Sequence, residues 1–408
     1  MKKLNVFISV LLLVIILVGV YQFQKGDLIE KLSLSKVKAS EKELETSNII
    51  DHYLAQPNSD WSIHKEKVTV KGIYITGNTL AYNKRFYKLL DLLNTTELNT
   101  MVIDVKDDNG ILTYESNVKM ANEFGADKQP KVKNFMEKME ILRNNNVYPI
   151  ARIVTFKDKI AASRRPDLAI KTKDGKVWRD NKGNAWLNPY NKESWEYPIR
   201  LAEEAALMGF KEIQFDYVRF PTDGNRSIID YGEIAKNKSM AEAISEFLAY
   251  ARKRLEPKGV YVSADIFGLV TTVKDDMGIG QHLETLSTSA DILSPMVYPS
   301  HYALGSYGVK YPDSNPYKIV HTSLSTAKNR IDKLETQKKK AIIRPWLQDF
   351  SAPWLKKLYG KHYVSYGPEQ IRAQIKATYD AGLEEWIFWN ASNRYTENGY
   401  LKEENINN

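Results

Sequence analysis

The sequence predicts an α/β chain, a (β/α)8 TIM barrel preceded by an N-terminal membrane-spanning helix and a polar spacer. Two observations carry the barrel. Eight short apolar runs with strand character alternate with segments of helical spacing, as βα units require. Polar and aromatic residues collect at the C-terminal ends of those runs, where barrels build their sites. A doubly wound open sheet is the competing architecture. It usually has fewer strands, and no glycine-rich phosphate loop follows the first run here.

The elements follow in order. Lys2 and Lys3 precede an uncharged stretch, 4–24, whose core VFISVLLLVIILVGVY is long enough to span a bilayer. Residues 1–24 read as a signal anchor or a signal peptide. No clean small-x-small cleavage site follows, which favours the anchor, with the rest of the chain outside the cell membrane. If the segment is cleaved, the protein is secreted. Residues 25–66 are polar and mixed in charge and read as a spacer. The barrel is expected over 67–400, with a polar tail at 401–408. Its strands are expected at 70–77, 100–108, 147–155, 212–221, 260–268, 290–299, 340–350 and 385–392. Helices are expected at 83–93, 132–144, 193–208, 241–255, 279–288, 319–334 and 368–381. Between the third strand and its helix lies an insertion, 156–192, holding Trp178 and Trp186.

The run EIQFDYVRFP at 212–221 organises the rest. Ile213 and Phe215 share one face, Gln214 and Asp216 the other. Pro221 stops the run because it has no N–H for a ladder. An isolated acid at a strand end reads most simply as the structural partner of Arg219. The neighbouring strand ends argue for more. They present Tyr74 and Thr76, then Asp104, Lys106, Asp107 and Asp108, then Arg152. Ser263 and Asp265 follow, then Met296, Tyr298 and His301, then Arg344, Trp346, Gln348 and Asp349, and finally Trp389 and Asn390. Acids, amides and aromatic rings in one concavity suit a carbohydrate. Asp216 and Asp265 are the catalytic candidates. If their strands adjoin, about 4.8 Å apart, the carboxyl groups approach to about 5–6 Å, the separation of a retaining glycosidase. One attacks the anomeric carbon, and the other protonates the leaving oxygen. Substrate-binding candidates are Tyr74, Asp104, Arg152, Gln214, Arg219, Tyr298, His301, Arg344, Trp346, Gln348, Trp389 and Asn390. Asp107 and Asp108, ahead of a glycine, read as loop-shaping.

Composition excludes several classes. There is no cysteine, so disulfides, thiolate metal sites and cysteine nucleophiles are out. The six histidines show no HExxH spacing, and Asp174, Asp180 and Asn181 lack the regular spacing of a calcium loop. No metal or other cofactor is expected. The 58 basic and 50 acidic residues give +8, a spread excess that suits an anionic cell wall or membrane and is weak evidence for nucleic acid, which is not expected as a partner.

The stretches GIYITGNTLAYN, VIDVKDDNG, IQFDYVRFPTDG, SADIFG, LSPMVYPSHY and IRPWLQDF, in this order over 68–398, resemble the bacterial glycoside hydrolase domain family of the (β/α)8-barrel glycosidase superfamily. The resemblance implies the barrel fold and action on a polysaccharide. In related barrels an aspartate ending the fourth strand is commonly the nucleophile, and Asp216 matches that position. Amylase-like relatives carry a glutamate acid on the fifth strand, and Asp265 departs from it. The expected function is an extracytoplasmic glycoside hydrolase cleaving a cell-envelope or matrix polysaccharide. A non-catalytic carbohydrate-binding barrel at the cell surface is the alternative, and a deacetylase or lyase on the same fold is the third.

Overall fold

Short strands with apolar residues on both faces close into a cylinder. The computed structural model describes residues 65 and 67–402. The apolar segment 1–24, nearly all of the spacer and most of the tail lie outside the described residues. Among the described residues no helix is long and apolar enough to cross a membrane.

The strands are β1 (Lys71–Ile75), β2 (Thr100–Lys106), β3 (Tyr148–Val154), β4 (Glu212–Asp216), β5 (Tyr261–Phe267), β6 (Ile292–Met296), β7 in two pieces (Ile342–Ile343 and Trp346–Gln348) and β8 (Trp386–Trp389). Each pairs in parallel with the next, and β8 pairs with β1, so the sheet has no free edge. All eight expected strands are present. The break in β7 falls at Arg344 and Pro345, where proline supplies no N–H to the ladder.

A helix follows each of the first seven strands: α1 (Asn83–Asn94), α2 (Phe135–Asn144), α3 (Glu196–Leu207), α4 (Met240–Leu255), α5 (Leu283–Ser287), α6 (Pro316–Asp332) and α7 (Pro368–Asp380). Helix α4 shows why. Ser239 and Glu242 form a capping box, and Ala243, Ile244, Phe247, Leu248, Ala251 and Leu255 make one buried stripe. The insertion after β3 packs Trp178 and Trp186 fully inside. Its Lys171–Thr172 pairs antiparallel with Ile229–Asp230 of the loop after β4.

Two apolar clusters result. The larger lies between sheet and helices and takes one strand face, including Ile73, Ile103, Ile153, Phe215 and Ala264. The smaller fills the lumen with Tyr74, Val102, Tyr148, Ile150, Tyr298, Trp346 and Ile387. The opposite strand faces thus separate into helix-facing and lumen-facing sets.

Candidate active site

Residues at the C-terminal ends of β2, β3 and β4 converge on one guanidinium. Arg152, on β3, donates Nη1 to Asp104 Oδ1 at 2.6 Å, and both Nε (2.9 Å) and Nη2 (2.5 Å) to Asp216 Oδ2. Nη2 also donates to Asp108 Oδ1 at 2.9 Å. The register that sets Arg152 opposite both Asp104 and Gln214 makes this possible. Asp216 Oδ1 accepts the Tyr217 N–H at 2.6 Å. Tyr217 has φ of 48°, an uncommon left-handed backbone for an aromatic residue, held directly beside the carboxylate.

Asp104 also accepts the Tyr74 hydroxyl at 2.6 Å. Burial pushes its carboxyl above the usual range, against the pull of Arg152. Burial acts the same way on Asp108, but there Arg152 wins and holds it below the usual range. The Tyr74 ring stacks on Trp389, with centroids 4.0 Å apart, and Arg152 lies over both rings.

Asp265 approaches from β5. Phe215 and Ala264 are paired, which sets Asp216 level with Asp265 on the adjacent strand. Asp265 is 2% exposed and accepts the Trp346 indole N–H at 2.7 Å. Burial first, and the Asp216 charge second, push its carboxyl well above the usual range. One acid is therefore tied to a cation while its neighbour is buried with its carboxyl pushed upward, a contrast of the kind that separates the pKa values of paired carboxylates. Tyr298 borders both acids, whose charges add to burial in raising its phenol.

The structure separates the remaining candidates. Arg344 leaves the mouth altogether. It donates to both Glu212 oxygens at 2.8 and 2.7 Å and to Glu385 at 2.7 Å. Glu212 begins β4, so this ion pair sits at the N-terminal end of the lumen. Gln214 is buried in mid-barrel and bonds Ser294 Oγ at 3.1 Å. Gln348 turns to Asp313 and the Ser300 N–H, bracing the loop after β6. Asn390 donates to the Asp349 and Arg394 carbonyls and shapes the loop after β8. Lys106, past an irregularity in β2, pairs with Asp158 at 2.7 Å and lies over the α3 residue Tyr197. His301 is exposed on the rim, edge-on to Tyr298. Arg219 is at the mouth, packed over Tyr217 and Phe267. The acid that sequence reasoning missed is Asp108. Asp107 shapes the turn, accepting the Asn109 and Ile111 N–H groups, whereas Asp108 joins the cluster. Its only signal was its place just past a strand end. Among the described residues no group of acids and histidines could hold a metal ion.

Comparison with known proteins agrees with this architecture. Residues 72–395 match a family described as "Putative glycosyl hydrolase domain". A hypothetical protein of known structure from Ruminiclostridium thermocellum is 42% identical over 51% of this chain and 98% of its own, with a TM-score of 0.44. The PgaB (BpsB) glycoside hydrolase domain from Bordetella bronchiseptica is 12% identical, with a TM-score of 0.54 over 79% of this chain and 95% of that one. Alpha-L-fucosidase isoenzyme 2 from Paenibacillus thiaminolyticus is also 12% identical, with a TM-score of 0.52 over 82% of this chain and 47% of that one. The last two likenesses show a shared fold. No curated protein matches.

Proposed function

The chain belongs to that glycosyl hydrolase family, and on this premise we propose an extracytoplasmic enzyme that cleaves a cell-envelope or matrix polysaccharide with Asp216 and Asp265. The observation that carries the reading is the contrast between two level acids, one bonded to Arg152 and one buried against the Trp346 indole with its carboxyl pushed up. Asp216 attacks the anomeric carbon. Asp265 protonates the leaving oxygen, then takes a proton from the water that releases the sugar. Neighbouring strands fit the close spacing of a retaining reaction. Tyr74, Trp389 and Tyr298 supply ring faces and hydroxyls for the sugar, and Arg152 with Asp104 and Asp108 holds Asp216 in place. The basic start and uncharged run of residues 2–24 support export, with the barrel on the outer side of the cell membrane.

The test incubates the full chain in detergent with bacterial envelope and matrix polysaccharides, following reducing ends, product mass and the first anomer by proton NMR. Wild type should release product with retained configuration, and Asp216→Asn should release none. Turnover by Asp216→Asn refutes the assignment. The burial of Asp265 favours one second reading, a sugar-binding barrel without turnover. It predicts equal glycan binding by both proteins and no release by either.

A further inference from the structure

Arg219 is a charged group that the proposed hydrolysis leaves without a task. Among the described residues three arginines are buried: Arg152, Arg219 and Arg344. The other two each fork between carboxylates. Arg219 makes one hydrogen bond, from Nη1 to the Phe220 carbonyl at 2.9 Å, and has no ion-pair partner among the described residues. Its guanidinium lies instead among three rings, 5.0 Å from Trp186, 5.0 Å from Tyr217 and 4.8 Å from Phe267.

This arrangement is costly for a structural group. Burying a cation is costly unless a counter-charge compensates, and a ring contact returns only part of that cost. A guanidinium has five N–H donors, and one is used. None of its nitrogens is both sealed from solvent and unpartnered, so the unused donors open to water. They do so at the mouth. Tyr217 follows Asp216 directly, and Phe267 lies two residues beyond Asp265 on the same strand face. Lys157 adds a second cation on the Tyr217 ring, 4.4 Å from its centre, with its Nζ in a long ion pair to Asp108 Oδ2 at 3.8 Å. Asp108 and Asp216 are both bonded to Arg152, and together with Asp223 they act on Arg219 only at a distance, so among the described residues no carboxylate bonds its guanidinium.

We propose that Arg219, assisted by Lys157, binds an oxyanion carried by the glycan, so that the substrate is an acidic polysaccharide bearing uronate carboxylates or sulfate esters. The inference rests on the mouth being a glycan site. A sugar hydroxyl would accept one N–H and leave the buried charge uncompensated. A carboxylate or sulfate engages the fork with two parallel bonds and cancels the charge.

The test uses the full chain in detergent with nitrogen-15 label. The Arg219 Nε–H resonance is assigned by its loss in Arg219→Lys. Glucuronate, glucose 6-sulfate and glucose are then titrated separately. A saturable shift with either anion, and at least about tenfold weaker response to glucose, supports the site, and the responding anion names its source. No anion response, or an equal response to glucose, overturns it. In parallel, acidic polysaccharides are assayed beside their carboxyl-reduced or desulfated forms. A drop of about tenfold or more in kcat/KM on removing the anion is expected, and Arg219→Lys should narrow that ratio. An anion shift without cleavage of any polymer overturns the hydrolase reading and leaves the anion site standing. Cleavage of neutral and acidic forms at equal rates overturns the anion site and leaves the hydrolase.

Discussion

Replacing Arg152 by methionine isolates what one cation does for this barrel. The guanidinium carries four hydrogen bonds to three carboxylates, at 2.5–2.9 Å. Methionine keeps most of the length and apolar contact but removes the charge. Asp104 and Asp216 are then left buried, 3% and 8% exposed, without a counter-ion. Removing one partner of a buried pair costs about 3–5 kcal/mol, a large share of a total stability of about 5–15 kcal/mol. At about 2 °C per kcal/mol for a large domain, Tm should fall by about 6 °C or more near neutral pH. The loss must also depend on pH. Without Arg152 the carboxyl of Asp104, which burial already holds above the usual range, rises further, so the native state binds a proton that the unfolded chain releases. Stability contributed that way is full below the unfolded pKa, near 4, and is lost as pH rises. In wild type Asp108 runs the other way: its depressed pKa stabilises above the usual range and is lost on acidification. The gap between the proteins should therefore close toward acid. Thermal unfolding followed by circular dichroism at about pH 7 and about pH 4.5 measures it. A Tm change below about 2 °C, or the same change at both pH values, refutes the reasoning.

Two further outcomes are expected. Asp265→Asn should lower kcat by about 10²–10⁴-fold, the usual range for losing a general acid, while Trp346 keeps an oxygen to donate to. Because the wild-type carboxyl has a raised pKa, its contribution is full below the unfolded value, near 4, and is lost as pH rises; the variant's Tm relative to wild type should therefore climb as pH is raised from about 4, and a flat difference would refute the raised pKa. Arg344→Met, which strands Glu212 and Glu385 at the opposite end of the lumen, should cost about 3–5 kcal/mol yet leave kcat/KM within a few-fold below the unfolding transition. Lost turnover without lost stability would place Arg344 back at the mouth.

The contrast between Arg152 and Arg344 shows how far the sequence could be read. Alternation assigned Arg344, Trp346 and Gln348 to one face of β7, and all three do turn away from the helices. What alternation does not carry is height along the barrel axis. That depends on the stagger between strands, and β7 breaks at Pro345, so Arg344 falls level with the start of β4 instead of its end. Arg152 stands near the C-terminal end of its strand because β3 runs unbroken from Tyr148 to Val154. Gln348 and Asn390 turn to loop groups for another reason. Loops over a barrel mouth must satisfy their own backbone groups, and a polar side chain at a strand end does that as readily as it meets a ligand. Asp108 was hidden because two adjacent acids before a turn look alike until one is captured by the turn.

The lumen itself explains why two similar aspartates on adjacent strands differ. Its charges form two tiers. Arg344 closes the lower one with Glu212 and Glu385, and Arg152 holds the upper one with Asp104, Asp108 and Asp216. Between them lies the apolar belt of Val102, Tyr148, Ile150, Trp346 and Ile387. Asp216 belongs to the upper tier and meets the guanidinium through two nitrogens. Asp265 meets the belt instead, through the indole of Trp346, with a neighbouring negative charge and no cation bonded to it. Burial and the neighbouring anion push the Asp265 carboxyl up, and no bonded arginine offsets them. Moving a cation to Asp265 would erase the difference. A lysine in place of Trp346 should therefore abolish turnover even though both aspartates remain.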